Sequence, residues 1–154
     1  MGQPDLAAQN ASCAELLAQT AFFRVCSPQQ IAQISRLGRI EYFSQDSRFY
    51  GLGEPAADFY VLVEGMVRFT IGHGARQTHA GQILKRGELF GWAALVENAQ
   101  KRIAGAMAIT SCTVIAFNGD QLLILMEQDH SLGFRIMKQL NALITGNLTA
   151  FASG

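Results

Sequence analysis

The chain has 154 residues, 49% of them hydrophobic, which is one domain's length with enough apolar material for a proper core. Lys+Arg and Asp+Glu are 12 each and no basic run stands out, which argues against a protein that holds DNA or RNA by its own field. Three widely spaced cysteines, Cys13, Cys26 and Cys112, form no CxxC pair and no even set, which argues against a disulfide scaffold or a zinc ribbon and for reduced thiols. The amino terminus lacks a basic segment followed by an apolar core and lacks a myristoylation pattern. No run nears the roughly 18 apolar residues of a membrane span, so a soluble, cytoplasmic protein is expected.

Residues 11–23 read as a helix with an apolar stripe of Leu16, Leu17, Ala21 and Phe22, Ser12 as N-cap and Glu15 completing a capping box. Ser27-Pro28 opens a second helix, Ser27 as N-cap and Pro28 in the first position, with Ile31, Ile34 and Leu37 on its inner face and Gly38 as its end. Short β-branched and aromatic segments punctuated by glycines follow at 39–43, 47–52, 57–65, 66–72, 77–85, 103–110 and 112–117. Such a succession predicts a sandwich or barrel. Glu64-Gly65 reads as a hairpin turn and residues 73–79 as a longer hairpin loop. Helix returns after Asn118: a short one through QLLILMEQ, capped by Asn118 or Asp120, then a last one opened by His130-Ser131 and running to Phe151. The apolar face of that last helix includes Leu132, Ile136, Met137, Leu140, Leu143 and Leu148, and is wider than one β-roll needs to cover. A helix–helix dimer seam and a purely intramolecular core helix both remain open. Gly146 weakens the helix by roughly 1 kcal/mol relative to alanine.

The stretch GELFGWAALVENAQKRIAG, residues 87–105, carries the candidate chemistry. Gly87 and Gly91 permit backbone conformations closed to other residues, and Trp92 to Val96 is long enough for one helical turn. Free N–H groups at the start of such a turn attract an anion. Arg102 then starts a strand; if it runs back beside the turn, its guanidinium forks onto the same anion, a contact worth about 1.5–3 kcal/mol. The competing reading makes the glycines ordinary turn residues and Arg102 a solvated strand end, and spacing alone does not decide between them.

This region and its surroundings resemble the cyclic-nucleotide-binding domain of catabolite-activator-type regulators, cyclic-nucleotide-gated channels and the regulatory subunits of cAMP-dependent kinase. The resemblance rests on YGLGEPAADFYVLVEGMVRF at 50–69 and on KRGELFGWAALVENAQKRIAGAMAITSCTVIAF at 85–117, and covers about residues 20–150. It implies a mainly β fold with flanking helices: a double-stranded β-helix, jelly-roll-like, with N-terminal helices and two C-terminal ones. It further implies residues 1–19 as a helical extension and 20–154 as the domain. In the family the cassette amides, here those of Gly91, Trp92, Ala93 and Ala94, and the arginine, here Arg102, hold the cyclic phosphate. Two positions depart. Ile103 stands where Ser or Thr is frequent, which removes a donor. Trp92 stands where a glutamate normally accepts the ribose 2′-hydroxyl, and an indole cannot accept as a carboxylate does. Three readings of Trp92 stay open: it stacks on a ligand ring, it closes the pocket and packs as core, or the pocket takes a different small anion.

No metal or catalytic constellation emerges. His73 and His79 flank a loop, His130 sits at a helix start, and Glu54, Glu64, Glu88 and Glu97 are scattered. The resemblance thus implies a non-enzymatic sensor that binds a small phosphate-containing ligand, such as cAMP or cGMP, and transmits occupancy through its last helix. Met137, Asn141 and Thr145 are candidate lid residues there, and a homodimer through that helix is a candidate assembly. No winged helix-turn-helix follows the last helix, so direct DNA binding is not expected. The alternative is a degenerate domain that has lost nucleotide binding and serves as an interaction or dimerisation module.

Overall fold

The structure, a computed structural model, describes residues 6–72, 74–96 and 101–153, with side chains between 12 and 150. In chain order it runs α1 (Leu6–Gln19), α2 (Pro28–Ser35), β1 (Arg39–Phe43), β2 (Arg48–Tyr50), β3 (Asp58–Glu64), β4 (Val67–Ile71), β5 (Thr78–Leu84), β6 (Leu89–Phe90), β7 (Gly105–Ala108), β8 (Cys112–Asn118), α3 (Gly119–Gln128) and α4 (His130–Ser153). Two four-stranded antiparallel sheets, ordered β1-β8-β3-β6 and β2-β7-β4-β5, face each other as the expected β-roll.

The central strands explain the long apolar runs of the sequence. Alternate side chains of a strand point to opposite faces. In β3, Tyr60 and Leu62 enter the roll while Phe59 and Val61 face the helices; in β8, Val114 and Ala116 enter and Ile115 and Phe117 face out. Both strands are therefore buried on both faces and cannot show polar alternation. Phe59 stacks on Phe117 across the pair, ring centres 4.9 Å apart. The helical layer sits on that outer face: Leu17, Phe23, Ile34, Leu122, Leu132 and Ile136 pack with it in one cluster. Among the described residues no helix is long and apolar enough to cross a membrane.

Local signals held best at α2 and α3. Ser27 accepts from the Gln30 amide at 3.2 Å and Gln30 returns the bond to the Ser27 amide at 2.9 Å, closing a capping box. Asn118, not Asp120, caps α3, accepting from the Gln121 amide at 3.1 Å. Other expectations need correction. Ser12 is no N-cap, because α1 is already under way at Leu6 and ends at Gln19; Thr20 then turns the chain, donating to the Leu17 carbonyl at 2.8 Å. Glu64-Gly65 is not a hairpin turn: β3 and β4 belong to different sheets, and the chain crosses from one to the other there. It crosses against the opposite crossing of β7 into β8, so tightly that a Cβ on Gly65 would sit 2.5 Å from the Ser111 carbonyl oxygen. The segment 73–79 does join a true hairpin, β4 to β5; His73 itself lies outside the described residues. The strand expected from 103 begins at Gly105, and β6, too short to leave a periodic trace, was not foreseen.

Candidate functional site

Gly91 ends β6 and adopts a left-handed conformation, φ 81°, which turns the chain into a 3-10 turn, Trp92–Leu95. A side chain there would be strained by this backbone and crowded, since a Cβ would fall 3.2 Å from the Asp58 carbonyl oxygen and 3.3 Å from Arg102 Nη1. Arg102 is drawn to this turn by its own backbone: its amide donates to the Glu54 carbonyl and its carbonyl accepts from the Gly53 amide, both at 2.8 Å. The segment before β7 is thereby tied to the 51–54 turn, and the side chain is directed inward.

The result is a buried cation. Arg102 is only 4% exposed, which rules out the solvated strand end. Its Nη1 donates to the Gly91 carbonyl at 2.9 Å and its Nη2 to the Asp58 carbonyl at 2.5 Å. Its guanidinium carbon lies 4.0 Å from the centre of the Tyr50 ring, a desolvated cation–π contact of about 2 kcal/mol. Its Nε is buried and has no partner among the described residues. Nearby carboxylates are engaged elsewhere: Asp58 with Arg39, Glu54 with Arg48. Burial pushes the guanidinium below its ordinary value, opposed by Tyr50, Tyr60, Asp58 and Glu54, and pushes the Tyr50 phenol far up. Arginine nevertheless stays protonated. Among the described residues this buried positive charge meets two carbonyl dipoles and an aromatic face but no anion, and such a charge is costly unless an anion completes it.

Turn and guanidinium meet at a small cavity of about 20 Å³, which Gly91, Trp92, Ala93, Arg102, Ile103 and Asn147 help to line. That volume holds about one water. Ile103, 50% exposed, contributes no donor, as its side chain requires. The Trp92 indole is half-buried, packs partly on the helical core and donates from Nε1 to Asn147 Oδ1 of α4 at 3.1 Å. Ala94 is adjacent in the turn but lines a different groove, the one beside α3.

The candidate lid residues are not at this cavity. Leu132, Ile136 and Leu140 fix the face of α4 that packs on the roll, and Asn147 continues it. Asn141 and Thr145 are exposed and line no part of this cavity, and Met137, 40% exposed, borders instead the groove beside α3 that Ala93 and Ala94 also line. Sequence reasoning also missed Tyr50, the Asp58 carbonyl and Asn147. Tyr50 was inside a quoted motif but carried no signal of its contact; Asn147 is 55 residues from Trp92 and no spacing rule links them. Of the remaining candidates, Glu64 and Glu88 are exposed and far from any triad, His79 and His130 are exposed, and Glu97 lies outside the described residues. No group of side chains suited to a metal occurs among the described residues.

The profile of the family described as "Cyclic nucleotide-binding domain" matches residues 40–129, more than half of the sequence, and the chain belongs to that family. Solved structures share the fold. A Geobacter metallireducens GS-15 protein ascribed cyclic nucleotide binding is 21% identical with a TM-score of 0.74, covering 88% of this chain and 97% of its own. The sensor domain of the transcriptional regulator DNR from Pseudomonas aeruginosa is 19% identical, TM-score 0.69, over 84% and 91%. The regulatory domain of Toxoplasma gondii PKA, solved with cAMP, is 19% identical, TM-score 0.72, over 93% of this chain and 51% of that one. A comparison with curated proteins gives no match.

Proposed function

We propose that this protein is a cytoplasmic, non-catalytic sensor that takes a small phosphate-containing ligand at Gly91–Ala94 and Arg102 and passes its occupancy to α4. One observation carries the reading: a guanidinium 4% exposed which, among the described residues, has no carboxylate partner and no partner for its Nε, at a cavity that α4 closes through Asn147. Anion binding completes the charge; because Trp92 and Asn147 are hydrogen-bonded at the same cavity, an entering ligand displaces α4 relative to the turn. That a sensor domain and a cAMP-bound regulatory domain share the fold supports the same reading.

The partner surface in this proposal is the outward face of α4, used by a second copy. Phe134 is 69% exposed, Met137 40% and Leu148 48%, and with Asn141 they repeat at coiled-coil spacing, Met137 at the edge of the groove beside α3. No direct contact with nucleic acid or membrane is proposed.

Titration with small phosphate-containing probes, cAMP and cGMP among them, tests the site by calorimetry and by the emission of Trp92, the single tryptophan. Saturable heat that disappears in Arg102→Ala is expected. Silence toward every probe at millimolar concentration favours the alternative, a scaffold that has lost its ligand. Sedimentation of the wild type and of Met137→Glu tests the seam: dimer for the first, monomer for the second.

A further inference from the structure

The groove beside α3 has a volume of about 940 Å³ and plays no part in holding an anion at Arg102. Small residues line it: Ala57 from the loop before β3, and Ala93 and Ala94 from the Trp92–Leu95 turn. Gly133 and Met137 of α4 border it. On α3 the lining residues Asp120, Leu123 and Glu127 are three and seven apart, which puts them on one face of the helix. Asp120 and Glu127 are exposed and stand about 10 Å apart along the helix axis. Among the described residues neither forms a salt bridge, whereas Glu41, Glu54 and Asp58 all do. No lysine or arginine is among the described residues that line the groove.

We propose that this groove docks a basic amphipathic helix of another protein, its apolar stripe on the alanines and two lysines or arginines, seven residues apart, meeting Asp120 and Glu127. Size, surface and charge choose this occupant. A helix is about 10 Å across with its side chains and rises about 5.4 Å per turn, so two turns occupy roughly 850 Å³, close to the volume of the groove. Alanines let a helix approach closely, and Met126 and Met137 are side chains that adapt to an apolar partner. The two carboxylates turn away acidic partners, and a helix laid along α3 has the same rise, so its cations match them at the same spacing. A second copy does not supply such a helix. Of the four helices only α4 carries lysine or arginine, and its Arg135 and Lys138 are three apart, with Arg135 already donating to Gln30 at 3.1 Å. Ala93 lines the arginine cavity as well, so a docked helix rests on the turn that Gly91 begins. Docking does not depend on what Arg102 holds, and the phosphate titrations above test that reading separately.

Fluorescence anisotropy on the intact chain tests this with three labelled peptides: a designed helix with a leucine–alanine face and two lysines seven apart, its twin with glutamates in place of the lysines, and a scrambled version of the first that has no apolar face. The wild type is expected to bind the lysine helix saturably and each of the others at least tenfold more weakly. Asp120→Lys combined with Glu127→Lys is expected to reverse the preference between the lysine and glutamate helices, because two attractions become two repulsions. The milder Asp120→Asn with Glu127→Gln is expected to bind those two helices alike. No saturation with the lysine helix, equal affinity for the scrambled peptide, or an unchanged preference in either double variant overturns the docking site. Sedimentation of Asp120→Asn with Glu127→Gln is expected to give the wild-type oligomeric state, and a loss of association there would hand the groove to a second copy and overturn the proposed partner.

Discussion

Two glycines in helices offer a matched pair for which the same substitution has opposite signs. Gly119 is the first residue of α3 and is buried against the turn that carries Ala94. A Cβ there would fall 2.1 Å from the Ala94 carbonyl oxygen and 2.7 Å from its carbon. Both are backbone atoms well inside ordinary contact, and they cannot swing aside as a side chain end would. Gly119→Ala therefore forces α3 and the Trp92–Leu95 turn apart. Overpacking of this kind costs about 1–3 kcal/mol, against at most about 1 kcal/mol gained from alanine's helix propensity. For a chain of this size each 1 kcal/mol moves Tm by roughly 2–4 °C, so a fall of about 2–8 °C is expected. Gly146→Ala, by contrast, enters open space in the last third of α4 and should raise Tm by roughly 2–4 °C. Thermal melts followed by circular dichroism measure both, and the Trp92 emission of Gly119→Ala should shift because its turn has moved. Equal Tm changes in the two variants, or an unperturbed emission in Gly119→Ala, would refute the close packing of α3 on the turn.

Other consequences concern ionisation. Asp129, at the junction of α3 and α4, is held below the usual carboxylate range by the side chain of Gln30, at 3.0 Å, and by the Leu132 amide, at 3.1 Å. Its folded value is depressed, so its contribution is present above an ordinary pKa of about 4 and is lost as pH falls below it. Asp129→Asn should flatten the acid limb of the stability profile between about pH 4 and pH 2, measured by urea melts; an unchanged slope would contradict the bonding. Burial pushes the thiols of Cys13, Cys26 and Cys112 above their ordinary value, and each is less than 8% exposed. All three should react slowly with Ellman's reagent in the folded protein and promptly in urea, and a fast native thiol would place one of them at the surface.

What could be read locally was read well. The Ser27 cap, the Asn118 cap and the spans of β1, β3, β4 and β8 follow from capping chemistry, β-branched composition and glycine punctuation, each within one or two residues. Gly91 and Arg102 were recognisable as a pair because a turn and a cation about ten residues on suit an anion, and their meeting at one cavity agrees. The failures share a cause. The Glu64-Gly65 turn resembles a hairpin in any short window, and only the placement of β3 and β4 in separate sheets makes it a crossing. The lid residues were chosen on the helix that reaches the small cavity, but Asn147 is the residue of that helix that lines it, while Met137 borders the neighbouring groove.

By itself the sequence determined most of the strands and helices, though not β6, and that one arginine follows a glycine-bounded turn. Tertiary structure alone decided that this arginine is buried between the Gly91 and Asp58 carbonyls and the Tyr50 ring, and that Asn147 reaches the Trp92 indole. The reason is physical. Element type is set by neighbours three or four residues away, through periodicity and caps. The company of a buried charge is set by chain closure across 44 to 55 residues, where no local pattern records which carbonyl or amide arrives.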